Sequence, residues 1–240
     1  MRAHHWRNEL ISQALGGDYL SLSVSKLLLT ESLITEYPIN LATVTGATSG
    51  SSNRNLSLRE SEFNEQSLCS VELTLHTLQG RADQKSMDHI PTLVLHGEGV
   101  GFIDASFEAL VTHFEVEYPS LRSIRFASFE VRGELENAPS AGADALCRAR
   151  LIIENSEASP FEFEASQPSM ASVSLDVVVQ ALEHFINAER AFVRIYRALE
   201  DAKSRGRHDL IESYTSQLSE LVKTTSYTES IAQLRSQVNI

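Results

Sequence analysis

The stretch GEGVGFIDASFEAL, residues 97–110, decides how this chain is organised. Three glycines stand at alternate positions, Gly97, Gly99 and Gly101, and Asp104 precedes an apolar pattern of helical period. Glycine reaches backbone conformations that other residues adopt only at a cost, and it lets another group approach the backbone closely. The stretch therefore predicts a strand, a sharp turn and a helix in quick succession. It leaves two reasons open for the glycines: the turn itself, or the close approach of a ligand or a second chain.

The residues on both sides of this turn have the periods of strands and of a helix. SVELTLHTL, residues 70–78, alternates apolar and polar side chains, which is typical of a half-buried strand. IPTLVLHGEG, residues 90–99, predicts a second strand, with Pro91 at its start, where a ladder donor is dispensable. Beyond the turn, four apolar residues share one face of a helix: Phe107, Leu110, Val111 and Phe114.

The second half of the chain repeats the order of strands followed by a helix. Three strands are predicted at residues 120–135, 145–155 and 160–165. A long amphipathic helix is predicted from near Ser174 to a stop at Gly206. Its apolar stripe contains six residues: Val178, Leu182, Phe185, Phe192, Ile195 and Leu199.

The C-terminal residues predict further helices. Asp209 is a candidate N-cap for a helix with four apolar positions at helical spacing: Ile211, Tyr214, Leu218 and Leu221. The polar run KTTSYT, residues 223–228, interrupts this helix before the last apolar residues of the chain.

This order of elements predicts an α+β fold: an antiparallel sheet with helices packed on one face, two βα-type units, and extra helical segments at the termini. Residues 1–66 are predicted to be an N-terminal extension that contains a Ser/Gly-rich linker. Residues 67–204 form the predicted α+β domain, and residues 205–240 a C-terminal helical extension. The 240 residues are enough to bury a sizeable core.

The composition argues against two classes of binding partner. The formal net charge of −12 argues against nucleic-acid binding, which needs clustered Lys and Arg, and against docking on anionic membranes. No apolar run approaches the roughly 18 residues of a membrane span. Two cysteines, Cys69 and Cys147, cannot form a disulfide framework, and the N-terminus has no apolar signal core. The chain is therefore expected to be a soluble, cytoplasmic protein.

The sequence predicts no catalytic residue, no cofactor and no metal site. It contains no H-x-H pair and no G-x-S-x-G elbow. His113 and His184 lie in predicted helices without a second ligand at i+4, and each is interpreted as a surface or helix-end histidine. TGATSGSS, residues 45–52, lacks the Gly-Lys-Ser/Thr ending of a phosphate-binding loop and is interpreted as a linker.

From about Val71 to Leu199 the chain resembles the C-terminal regulatory domain of 2-isopropylmalate synthase and its relatives, citramalate synthase among them. The family pattern is two strands, a Gly-x-Gly-x-Gly-Pro-Val-Asp-Ala turn, a helix, three strands and a second helix. GEGVGFIDA, residues 97–105, keeps the three glycines, the Asp and the Ala. Val100 and Phe102 stand where the family often has Asn and Pro.

A second difference precedes the long helix. In SQPSMASVSLDVVVQALEHF, residues 166–185, glycines are absent, and Gln180-Ala181 replaces a pair of small residues. Both segments border the effector pocket in the family. The family's catalytic part is a barrel of about 250 residues that holds a metal with an Asp and an H-x-H pair. Residues 1–66 are too few for such a barrel, so the chain looks like the regulatory domain without its enzyme.

The resemblance implies a non-catalytic, homodimeric module that binds a leucine-like amino-acid effector and acts on a separate synthase chain. The effector-binding residues implied are Gly97, Gly99, Val100, Gly101, Phe102, Asp104 and Ala105. The free N–H groups at the helix start, residues 102–105, would face the carboxylate of the effector. Two other interpretations stay open: a dimeric interaction protein that has lost effector binding, and an enzyme whose site is not visible in the sequence.

Overall fold

The computed structural model describes residues 2–34, 66–79, 92–133 and 146–238. Within these residues the strands are β1 (Leu20–Ile34), β2 (Gln66–Gln79), β3 (Thr92–Gly99), β4 (Arg125–Gly133), β5 (Cys147–Glu154) and β6 (Pro160–Gln167). The helices are α1 (Arg2–Leu15), α2 (Phe102–Phe114), α3 (Met170–Ser204), α4 (His208–Leu221) and α5 (Thr228–Val238), with a 3-10 helix at Pro119–Ser123. The predicted α+β fold is confirmed. The predicted linker at residues 45–52 and Pro91 lie outside the described residues.

The described elements form two units, each of three antiparallel strands followed by a helix. The first sheet has the order β1-β2-β3 and leads into α2, and the second has the order β4-β5-β6 and leads into α3. The sequence pattern predicted only two strands before the glycine turn. The third, β1, lies within residues 1–66, which are predicted to be an extension.

A β-bulge in β1 explains why its pattern was not recognised. Leu20, Leu22 and Val24 alternate, but the register with β2 shifts between Val24 and Lys26. Beyond the shift, Leu27 and Leu29 are aligned with the buried Leu73 and Val71 of β2. Before the bulge the core-facing residues have even numbers, and after it they have odd numbers. A search for strict alternation therefore does not recognise the strand.

The central strand of each sheet has one buried face. In β2 the buried residues are Cys69, Val71, Leu73 and Leu75, and in β5 they are Ala149, Leu151 and Ile153. The residues between them in β2 are half-buried, and those in β5 are half-buried or exposed. The predicted alternation of these strands is confirmed, and it puts the helices on one face of each sheet.

The 35-residue helix α3 connects two cores. Its first half packs on β5 and β6 and also contacts β1. Its second half, from residue 188 onward, packs with α1 and α4 in a separate helical cluster. The helices at the two termini therefore meet on α3, because each has an apolar face that must be covered.

The ends of α3 are set by local capping. The helix begins at Met170, four residues before the predicted start, because the Ser169 hydroxyl caps it by accepting a hydrogen bond from the Ser172 amide. At the other end Gly206 adopts a left-handed φ of 67°. The amides of Gly206 and Arg207 then bond back to the carbonyls of Lys203 and Ala202, which confirms the predicted stop.

Two predicted boundaries were wrong. The predicted strand at residues 120–135 starts only at Arg125, because Pro119 begins a 3-10 helix that continues to Ser123. Asp209 does not cap α4. The N-cap is Arg207, and Asp209 lies in the first turn, where its carboxylate accepts hydrogen bonds from the Arg207 guanidinium.

Candidate functional site

The close approach of α2 explains the first two glycines of the turn. A Cβ atom at Gly97 would lie 2.2 Å from the carbonyl oxygen of Ala105 and 2.6 Å from the Cβ of Ala109. A Cβ atom at Gly99 would lie 2.6 Å from the amide nitrogen of Ala105. These distances are far below van der Waals contact, so only glycine allows α2 to fold back on β3. The group that approaches the backbone here is a helix of the same chain.

The third glycine has a different role. Gly101 is the N-cap of α2 in an extended conformation, and no described atom lies within 4 Å of its Cβ position. Its carbonyl accepts the first helical bond, from the Ala105 amide at 2.9 Å. Asp104, in the first turn, accepts a hydrogen bond from the Val100 amide at 3.0 Å and so closes the turn.

The seven predicted effector-binding residues lie together in one turn, but some of them are buried and others are exposed. Gly97 and Ala105 are buried, and the Phe102 side chain packs against the sheet core. Val100 and Asp104 are exposed, Val100 with 72% of its surface accessible. The side of the turn that a ligand reaches is therefore formed by Val100, Gly101 and Asp104. Effector binding at this turn stays a prediction.

A second candidate site is a cavity of about 650 Å³ beside the middle of α3. The end of α1, the loop after α2 and the helix α5 form its other walls. We call it the arginine cleft. Its polar walls are Asp18, Glu117, Tyr118, Glu189, Arg190, Arg194, Arg197 and Ser230, and its apolar walls are Leu15, Val193 and Leu234.

Only some of the acidic and basic side chains of the arginine cleft form ion pairs with each other. Arg190 bonds to Asp18, with Nη2 to Oδ1 at 2.9 Å. Glu117 accepts the hydroxyl of Tyr118 at 2.9 Å, while burial, and then this bond, raise the pKa of Tyr118. The Nη1 of Arg194 donates to the carbonyl oxygen of Leu15 at 3.0 Å. Within the described residues neither Arg194 nor Arg197 has a carboxylate partner.

Glu189 forms the buried floor of the arginine cleft, and within the described residues it is held by hydroxyl and amide donors and not by a cation. The amide and hydroxyl of Ser120 donate to Oε2 at 3.1 and 2.6 Å, and the Ser230 hydroxyl donates to Oε1 at 2.5 Å. Burial raises the pKa of Glu189, and these hydrogen bonds oppose that rise. The carboxylate thereby ties α5 and the 3-10 helix to α3.

Sequence reasoning missed the arginine cleft. Within RAFVRIYR, residues 190–197, the predicted apolar stripe contains Phe192 and Ile195. The three arginines stand at i, i+4 and i+7 of the same segment, which puts them on one face of the helix. That spacing was a usable signal for a basic face, but the residues that complete the cleft are far away in sequence.

His184 does not have the predicted surface position. It is half-buried, and its ring lies among those of Phe161, Phe163 and Phe185, with centroids 5.3 to 5.7 Å apart. His113, at the end of α2, is exposed as predicted. Over the described ranges, no group of three or more His, Cys, Asp or Glu side chains is placed to hold a metal ion. No helix in the described part of the chain has the length and apolar character needed to cross a bilayer.

Comparison with known proteins identifies no family. No family model matches this chain, and no curated protein matches it. The resemblance to the synthase regulatory domain therefore depends on the residues quoted above and on the order of the elements.

Proposed function

We propose that this chain is a non-catalytic regulatory and dimerisation module, similar to the allosteric domain of 2-isopropylmalate synthase. The observation that carries the proposal is the turn at residues 97–105, where β3 ends and α2 begins with only Val100 and Gly101 between them. The order from β2 to α3 agrees with the family pattern of strands, glycine turn, helix, strands and helix.

The effector of this module is a small amino acid of the leucine type, bound on the solvent side of the turn. The N-cap Gly101 supplies no side-chain bond to the first turn of α2, and the Ala105 amide donates to the Gly101 carbonyl, so the amides offered to a ligand are those of residues 102–104. Such amides attract a carboxylate because the helix dipole adds to their own partial charge. Gly101 leaves space for the ligand, and the exposed Asp104 carboxylate, which already accepts the Val100 amide, is the candidate partner for an ammonium group.

Dimerisation is supported by apolar side chains on edge strands. Leu28 and Leu29 on β1 are each 47% exposed, and Phe126 on β4 is 38% exposed. Within the described residues β1 and β4 each have a strand neighbour on one side only. Exposed apolar groups on an open edge favour association, and a second copy of the chain is the partner that the resemblance implies.

The module acts on a separate synthase chain and condenses no substrate itself. Condensation of acetyl-CoA with a 2-keto acid needs a base at the acetyl methyl group and a metal at the keto oxygen. A thiol-release assay of the purified chain with magnesium or zinc checks this part of the proposal. Turnover above that of a mock purification would overturn it.

Calorimetric titration with leucine, isoleucine and valine tests effector binding. We expect roughly micromolar to millimolar affinity for one of them, and loss of that affinity in Gly101→Val. Gly133→Val is the matched control, because no described atom lies within 4 Å of either glycine's Cβ position. Light scattering should give about twice the single-chain mass of 26.6 kDa. No heat and no thermal shift with any of the three amino acids would reject the effector, and a clean single-chain mass would reject the dimer.

The alternative function is a dimeric interaction protein without an effector. This alternative is favoured by the packing of α2 against Gly97 and Gly99. The packing explains why both residues are glycine without a ligand. A dimer that binds none of the three amino acids would select this alternative.

A further inference from the structure

We propose that the arginine cleft is a binding site for a small organic anion, with one carboxylate or phosphate group on a short apolar body. This inference does not depend on the proposed function. The cleft lies by the loop after α2, whereas the glycine turn lies before it. Thirteen helical residues, about 20 Å, separate these two ends.

The charge in the cleft is the first reason. Three acids and three arginines line it, so their formal charges balance, but only Asp18 forms an ion pair with one of these arginines, Arg190, whereas Glu117 accepts a tyrosine hydroxyl and Glu189 accepts two serine hydroxyls. Among the described residues Arg194 and Arg197 therefore have no carboxylate partner, and they lie three positions apart on the same face of α3. Guanidinium groups have a planar array of donors that fits carboxylate and phosphate oxygens.

The second reason is that contacts within the cleft already hold two of its arginine side chains in place. Arg190 has only 15% of its side chain exposed and is fixed by Asp18, and Arg194 is fixed by the Leu15 carbonyl. An anion therefore meets an Arg194 side chain that is already oriented, which lowers the entropy lost on binding. Arg197 is exposed on the same face and supplies the second guanidinium of the site.

The apolar walls define the rest of the ligand. Leu15 and Leu234 are buried, and Val193 is half-buried between Arg190 and Arg194. A cavity of about 650 Å³ accepts a body of several carbon atoms beside the charged group. The site should therefore discriminate against an anion without an apolar part.

Titration calorimetry of the full chain at low ionic strength tests this site with four probes: hexanoate, hexyl phosphate, inorganic phosphate and 1-hexanol. We expect hexanoate or hexyl phosphate to bind, inorganic phosphate to bind at least about tenfold more weakly, and 1-hexanol not to bind. The relative affinities of the first two probes decide between a carboxylate and a phosphate ligand.

Variants locate the binding. Arg194→Gln and Arg197→Gln should each weaken it about tenfold, because each removes charge-assisted hydrogen bonds. Arg205→Gln is the matched control, since Arg205 is exposed near the end of the same helix and pairs with Asp201. The circular dichroism of each variant verifies that it is folded.

Three results would overturn the inference. The first is no heat with either hexyl anion at 10 mM, a concentration of the order of the weakest specific affinities. The second is binding that both cleft variants leave unchanged, and the third is equal affinity for 1-hexanol. Leucine binding that Gly101→Val abolishes and Arg197→Gln preserves would leave the proposed function standing while this site fails.

Discussion

The side-chain amide of Asn187 on α3 bonds to both backbone polar groups of Leu20 on β1. The Leu20 amide donates to Oδ1 at 2.9 Å, and Nδ2 donates to the Leu20 carbonyl at 2.8 Å. One turn earlier in α3, Glu183 accepts the Leu22 amide and the Ser21 hydroxyl. These side chains replace a neighbouring strand along the first residues of β1, and they join the two units of the fold.

Asn187→Ala should lower the free energy of unfolding by about 2–4 kcal/mol, because it leaves the amide and carbonyl of Leu20 buried without a partner. Urea denaturation measures this loss. Gln180→Ala, an amide on the same helix without a hydrogen bond among the described residues, should cost less than about 1 kcal/mol. Equal losses in the two variants would show that the contact with Leu20 contributes nothing.

Gly97→Ala should be strongly destabilising and Gly101→Ala should not. The methyl group at residue 97 would collide with the Ala105 carbonyl of α2, and overpacking of this kind costs about 1–3 kcal/mol or more. At Gly101 the new Cβ enters open space, and the cost is limited to weaker N-capping, below about 1 kcal/mol. Thermal unfolding of both variants gives the comparison. A Gly97→Ala variant as stable as wild type would contradict the packing of α2 on β3.

The local spacing of apolar and polar residues was enough to predict much of the fold. Residues 70–78 alternate because one face of β2 is buried, and Leu110 and Phe114 have helical spacing because that face of α2 is buried. The glycine turn was predicted from residue type alone. The sequence did not show whether a ligand or another part of the chain approaches it. That question concerns the tertiary position of α2, which no local pattern contains.

The missed features depend on long-range geometry. The bulge in β1 reversed the apolar parity, so the strand had no single period to recognise. The arginine cleft joins Leu15, Glu117, Arg194 and Ser230, which come from four separate elements. Charge spacing on α3 indicates a basic face, but only the packing of the other three elements turns that face into a cavity.

Stability should rise as the pH falls from neutral toward the ordinary range of glutamic acids. Burial raises the folded-state pKa of Glu189 and of Glu183, so the folded state holds their protons at pH values where the unfolded state releases them. The stabilisation is fully present below the unfolded pKa and is lost as the pH rises through the folded pKa. Urea midpoints measured from pH 4.5 to 7 follow this change.

Glu189→Gln isolates one of the two acids in that pH series. The variant cannot release a proton, so the stability difference between wild type and variant should shift in favour of wild type as the pH falls. Gln180→Ala on the same helix removes no ionisable group and is the control, so its difference from wild type should not change with pH. A pH-independent difference for Glu189→Gln would contradict the raised pKa.

Gly206→Ala should destabilise the end of α3 through the backbone alone. Gly206 has a φ of 67°, and no described atom lies within 4 Å of its Cβ position, so a methyl group meets strain but no collision. A left-handed conformation costs a residue with a side chain about 1–2 kcal/mol. Gly133→Ala is the control, because it restricts the unfolded chain equally without a positive φ. Chemical denaturation should place Gly206→Ala below Gly133→Ala by that amount, and Gly16→Ala, at a φ of 63°, should behave like Gly206→Ala. If all three variants are equally stable, the left-handed stop of α3 is not a source of strain.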